Sequence, residues 1–193
     1  MGKETAFHKS CTDDYLELLK DQEVIRTKYG SPDVCPVTSS VTRTIASVIH
    51  FAADHVREQH RLFADAEKLA KKYRVPEKRL WHIKVKAYAD SNQWSNLRIL
   101  ADSRSKPPIS FKFFAQVVIR ATEHQPITEI LRYIEKVSAP EEKYDLFCEA
   151  NQWQRALDEA MKIKDIRRIL NVKTLCNSSD IAIVADQMMG RLA

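Results

Sequence analysis

The chain has 193 residues, 44% of them apolar and 30% charged, with 31 Lys or Arg against 26 Asp or Glu and hence a formal net charge of +5. Three glycines and no Asn-Gly, Asp-Gly or Gly-Gly dipeptide argue against a sheet-rich fold and against any glycine loop that cradles phosphate. The four cysteines are far apart with no Cys-x-x-Cys pair, which offers neither a zinc site nor a disulfide framework, and no run of 18 apolar residues suggests a membrane span. A soluble, cytosolic all-α protein is therefore expected.

In chain order, Ser10 with Asp13 predicts a capping box. Tyr15, Leu18, Leu19, Ile25 and Tyr29 follow at helical spacing as far as Gly30. Ser31-Pro32 ends that helix, and the loop "SPDVCPVTSS" supplies hydroxyls to cap the next, whose stripe is Ile45, Val48, Ile49, Ala52 and Val56. A break within "REQH", residues 57–60, separates it from Leu62, Ala66, Leu69, Ala70 and Tyr73, which run up to Val75-Pro76.

From Pro76 the punctuation becomes regular and predicts three helical hairpins. The first runs through Trp81 and Tyr88 to "NQW" at 92–94 and returns to "SRSKPP". The second is capped by Ser110, carries Phe113, Phe114, Val117 and Val118, turns at "EHQP" (residues 123–126) and returns through Ile127, Ile130, Leu131 and Ile134. The third opens at Pro140, passes Tyr144 and Phe147 to a second "NQW" at 151–153, and returns through Ala156, Leu157, Ala160 and Met161. Trp94 and Trp153 stand 59 residues apart, about two units of a hairpin repeat, so both are expected at bends, buried between successive hairpins. Two closing helices follow, with Gly190 as the C-terminal stop. The prediction is an α-solenoid of about ten or eleven helices.

Few residues suggest chemistry. Asp13, Asp14 and Glu17 form a D-D-x-x-E cluster of the kind that binds magnesium-diphosphate in all-α isoprenoid synthases, but acids near a helix N-terminus also serve the macrodipole. His50, Asp54 and Glu58 share a helical face without a second histidine, His55 and His60 being turned away from it. No nucleophile motif occurs, so neither an enzyme nor a cofactor site is expected. The charge is more informative: residues 61–86 hold nine Lys or Arg and three acids, a surplus of six, whereas residues 1–60 hold seven against nine. Lys72, Tyr73, Arg74, Lys78, Arg79 and His82 lie in this patch and are the candidate partner-contact residues. An acidic protein is one fitting partner; RNA or DNA, with phosphates neutralised and bases stacked on the interleaved aromatics, is the other.

The stretch "LAKKYRVPEKRLWHIKVKAYADSNQW" followed by "LRILADSRSKPPISFKFFAQVVI" resembles the C-terminal region of the vacuolar protein sorting-associated protein sixteen family. The residues that carry the resemblance are Pro76, Glu77, Lys78, Arg79, Leu80 and Trp81, then Ala89, Asp90 and Trp94, then Ser105, Lys106 and Ile109. The family's glycine after Pro-Ile is Ser110 here, and "HFAADHVREQHRLFA" is longer than its counterpart. A B-form paralogue shares the region, and the β-propeller of full-length relatives is missing, so the resemblance implies a fragment or a B-form product.

The resemblance further implies one α-solenoid over 1–193, its half at 1–90 docking a partner and 91–193 forming C-terminal hairpins and a cap. The implied partner is a Sec1/Munc18 protein, vacuolar sorting subunit thirty-three in its A or B form, within the HOPS and CORVET tethers. The other tethering-complex subunits are further partners, and the chain is expected to sit peripherally on late endosomes, lysosomes or vacuoles without membrane insertion and without nucleic acid. Arg79 matches the family's contact arginine, and Arg168 lies outside the docking half as a control.

Overall fold

The computed structural model describes residues 2–121 and 126–192, with side chains from residue 8 onward. Among the described residues there are eleven α-helices, a 3-10 turn at Pro32–Val34 and no strand. This is the all-α class of stacked helical hairpins that the periodicity predicts. The turn expected at 123–126 lies, apart from Pro126, outside the described residues. The chain divides after Pro108 into two compact units.

The first unit contains α1 (Gly2–Tyr29), α2 (Val41–Asp54), α3 (Gln59–Lys72), α4 (Glu77–Asp90) and α5 (Trp94–Asp102). Helix α2 packs on both α3 and α4, and α4 on α5, which closes a core of Ile45, Val48, Ile49, Leu62, Leu69, Trp81, Val85 and Leu97. Each such side chain stabilises by roughly 1.5–3 kcal/mol when it leaves water. The second unit contains α6 (Phe111–Arg120), α7 (Ile127–Glu135), α8 (Pro140–Glu149), α9 (Trp153–Ile163), α10 (Ile166–Leu175) and α11 (Ser179–Leu192). Helix α6 packs on α7 and α8, and α9 on α10 and α11, so the contact to the next helix and the next but one recurs. Phe114 and Tyr133 stack at 5.5 Å in its core.

The bends share one device. Asn92 and Asn151 both adopt φ of 56°. After each, the following amide donates to the carbonyl five residues back, Gln93 to Tyr88 and Gln152 to Phe147, both at 2.8 Å. The asparagine amides themselves donate to Ala89 and Cys148, completing two Schellman caps. Gly30, Arg74 and Lys164 close α1, α3 and α9 in the same way. The repeated "NQW" therefore works first through the backbone: asparagine tolerates the left-handed conformation better than other residues with a Cβ, and its side chain is not the capping group.

Several expectations change. Helix α1 already runs from Gly2, so Ser10 is interior and caps nothing, and Thr12 Oγ1 donates back to the His8 carbonyl at 2.9 Å, as hydroxyls within helices do. The break between α2 and α3 spans residues 55–58 without Gly or Pro. Two side chains satisfy the freed carbonyls of α2: Gln59 Nε2 donates to Ala52 at 3.2 Å, and His55 Nδ1 lies 2.9 Å from the Phe51 carbonyl oxygen. Val56 falls beyond the helix and is 74% exposed, and Tyr15 is exposed too. Gly190 lies inside α11, where an exposed glycine is tolerated at some cost in propensity. Trp94 and Trp153 begin the second helix of their hairpins and are only half-buried, whereas Trp81, with the Arg104 guanidinium over its ring, is 6% exposed.

Candidate partner-docking site

The candidate residues gather around the bend between α3 and α4. Helix α3 ends because Arg74 turns left-handed, φ 50°, and the Val75 amide reaches back to Ala70 at 2.9 Å. Pro76, without an amide hydrogen, stands at the N-cap of α4 and accepts from the Leu80 amide at 3.0 Å. Along α4, Trp81, Val85, Tyr88 and Ala89 are buried. Arg79 and Lys86 lie across the helix and are exposed, Lys78 is exposed at its first turn, and His82 is half-buried among them. His82 Nδ1 sits 2.6 Å from the Lys78 carbonyl oxygen one turn back.

The patch divides into paired and unpaired cations. Lys72 Nζ contacts Asp21 at 2.7 Å and Glu17 at 3.0 Å, both on α1, and Tyr73 donates its hydroxyl to Asp21 at 2.7 Å. Burial and the Asp21 carboxylate push the Tyr73 phenol well above its usual range. Lys84 is likewise paired, with Glu67. Among the described residues, no acid lies in ion-pair range of Lys71, Arg74, Lys78, Arg79 or Lys86. The surplus of charge read from the sequence thus survives chiefly on the outer face of α4 and at the bend, while Lys72 and Tyr73 are already engaged.

Glu77 and Trp81, one turn apart on the opposite side of α4, border a groove of about 550 Å³ against α5. Arg104 closes one end, with its guanidinium 2.6 Å from Glu77 and 5.8 Å from the Trp81 ring centre. The other sequence candidates do not assemble. Asp13, Asp14 and Glu17 are exposed on α1, and no three His, Cys, Asp or Glu side chains among the described residues form a metal-sized cluster. Arg168 is paired with Asp145 at 3.0 Å and Asp165 at 3.4 Å and lies over the Tyr144 ring, so it is a structural residue in its own unit and a poor control.

The most important residue that sequence reading missed is Asp65. It is 8% exposed on α3 and accepts from Lys28 Nζ at 2.5 Å and the Tyr29 hydroxyl at 2.8 Å, with Lys68 at 3.6 Å. Burial pushes its carboxyl up, but those hydrogen bonds and charges outweigh burial and hold it below the usual carboxylate range. An acid one turn from Leu69 and Leu62 reads as an ordinary surface residue until α1 is brought beside it. The only available signal was its position among apolar neighbours on the α3 stripe.

Stacked helical hairpins, with no strand among the described residues, define a helical-repeat scaffold. The family model described as "Vps16, C-terminal region" matches residues 1–191, and the chain belongs to that vacuolar protein sorting family. It is 26% identical over 127 residues to the vacuolar protein sorting-associated protein 16 homolog of Dictyostelium discoideum, which covers 66% of this chain and 15% of the relative. The Drosophila melanogaster homolog is 23% identical over 160 residues, 83% of this chain and 17% of the relative. Protein VACUOLELESS1 of Arabidopsis thaliana is 25% identical over 163 residues, 84% and 17% of the two chains. The chain thus spans less than one fifth of the length of these curated relatives.

Proposed function

We propose that this chain is a non-enzymatic scaffold segment of a vacuolar sorting tether of the HOPS or CORVET type. It docks a Sec1/Munc18-family protein, vacuolar sorting subunit thirty-three in its A or B form, and joins the other tethering subunits. In this role it contributes to endosome and lysosome tethering, SNARE assembly and vesicle trafficking from a cytoplasmic, peripheral position. Residues 1–90 are the docking half of the chain. Family membership supports the vacuolar sorting role. The observation that carries the docking reading is Arg79 and Lys86 on the outward face of α4, with Lys78 exposed at its first turn, none of them paired with an acid among the described residues.

The test is a charge reversal. Arg79→Glu leaves every observed contact of the fold intact, so its melting temperature should match the parent, while a carboxylate set against the partner's acids should cost on the order of 2–5 kcal/mol of binding. The control is Arg167→Glu, an exposed arginine of the second unit. Calorimetric titration of both variants against the Sec1/Munc18 partner decides: undiminished binding by Arg79→Glu removes Arg79 from the interface, and equal loss in both variants means long-range steering without a specific contact.

A further inference from the structure

Helix α1 lies antiparallel along α3 and is held at two points with opposite polarity. At one, a base of α1 meets an acid of α3, through Lys28 and Tyr29 on Asp65. At the other, acids of α1 meet a base of α3, through Glu17 and Asp21 on Lys72. The two points differ in burial. The Asp65 side chain is 11% exposed, and two turns before Tyr29 on α1 the fully buried Gln22 donates to the Ser39 carbonyl at 2.9 Å and Thr44 Oγ1 at 2.8 Å while accepting from the Thr38 amide at 3.1 Å. At the other point the Lys72, Glu17 and Asp21 side chains are 39%, 55% and 25% exposed. Residues 8–17 are exposed throughout, and apolar packing of α1 starts only at Leu18. The helix thus has a root fixed from Leu18 onward, and Glu17 and Asp21, which flank Leu18, hold Lys72 through partly exposed charge pairs that are individually weak and screened by salt.

Those pairs occupy Lys72 and Tyr73, at the same bend that bears Arg74, Lys78 and Arg79. We infer that the Glu17 and Asp21 carboxylates of α1 are intramolecular occupants of the basic corner, and that an acidic helix of a docking partner binds by displacing them from Lys72 and Tyr73. The inference rests on the docking reading above and adds its regulation. Asp14, Glu17 and Asp21 fall at spacings of three and four, so they form one acidic stripe, and the corner already accepts an acidic helix in its own chain. The partner segment it fits is of the same chemistry, a helix with acids at i, i+3 or i+4, and i+7.

The experiment uses the whole chain and the double substitution Glu17→Gln and Asp21→Asn, which keeps side-chain size and leaves the buried Leu18 and Gln22 untouched. In the free protein, amide exchange over residues 8–17 should quicken in the variant and should quicken with added sodium chloride only in the parent, while residues 18–29 stay protected. Titrated with the Sec1/Munc18 partner, the variant should bind about 2- to 10-fold more tightly, the factor expected for removing two exposed pairs. Unchanged exchange over 8–17, or weaker partner binding, overturns the inference, the latter because the acids would then belong to the interface. A gain for a generic single-stranded RNA with none for the protein also overturns it. The docking reading fails separately: Arg79→Glu with full affinity sinks that reading, whereas Arg79→Glu with lost affinity beside an unaltered double variant sinks only the displacement.

Discussion

Asp65 shows how one side chain sets a pH limit on the fold. Its folded carboxyl is held low, so its contribution to stability is complete above the unfolded carboxylate range near pH 4 and is lost as pH falls through the lower folded value. Lys28 is held above its usual value, first by its hydrogen bond to Asp65, so its contribution is complete below about pH 10 and disappears at more alkaline pH. Asp65→Asn should therefore lower the melting temperature at pH 7, by roughly 1–3 kcal/mol of stability, since Lys28 is exposed enough to regain water, and the loss should shrink towards pH 3. An equal loss at both pH values would mean that packing, and not charge, makes the residue matter. At the opposite end of the chain, Lys164 holds φ of 59° with an exposed side chain, where glycine avoids the clash of Cβ with backbone. Lys164→Gly should stabilise by about 0.5–1 kcal/mol, read as a rise in melting temperature, and a fall would show that the lysine stem contributes packing.

At the scale of elements, the two "NQW" bends look alike in sequence and share one backbone cap, yet their glutamines do unequal work. Gln93 is buried and donates from Nε2 to the Ile49 carbonyl on α2 and to Ser91 Oγ, both at 2.8 Å, while its Oε1 accepts from Asn96 at 2.9 Å. Gln152 is half-buried and donates at 3.4 Å to Ala150. Gln93→Ala should cost about 1–3 kcal/mol, because the Ile49 carbonyl loses its side-chain partner in a buried place, and Gln152→Ala should cost well under 1. Denaturant midpoints of the two variants check this, and equal shifts would restore a common role. The helices themselves were legible because period and punctuation are local: Pro140 at the first turn of α8 and the stripe of Ile45, Val48, Ile49 and Ala52 need no tertiary context. The start of α1 was misread because Ser10 and Asp13 satisfy a capping pattern equally well within a helix. The exposure of Trp94 and Trp153 could not be read from spacing, which fixes a face of the helix but not what covers it.

For the whole molecule, charge along the sequence located the candidate corner but not its state. The nine bases of residues 61–86 are contiguous and visible, whereas the acids that neutralise Lys72 lie 51 and 55 residues away on α1, beyond the reach of any local pattern. The same corner lies wholly within the first unit, together with α1, its buried Leu18 and Gln22 and its acids Glu17 and Asp21. Each unit has its own buried side chains, Ile45, Leu62 and Leu97 in the first and Phe114, Leu157 and Ile169 in the second, and the division falls at Pro107-Pro108, where the backbone donates no amide hydrogen bonds. Residues 1–108 and 109–193 should therefore each fold when produced separately, with helical far-ultraviolet spectra and cooperative melting. The first fragment should titrate the Sec1/Munc18 partner with the affinity of the whole chain within a factor of about three, which is less than 1 kcal/mol, and the second should not compete. A first fragment that melts cooperatively but binds at least tenfold more weakly would move part of the interface into the second unit and remove residues 1–90 as the self-sufficient docking half. A fragment that is helical without cooperative melting would show that its core depends on residues beyond Pro108, and the boundary between folding units would then have to be drawn elsewhere.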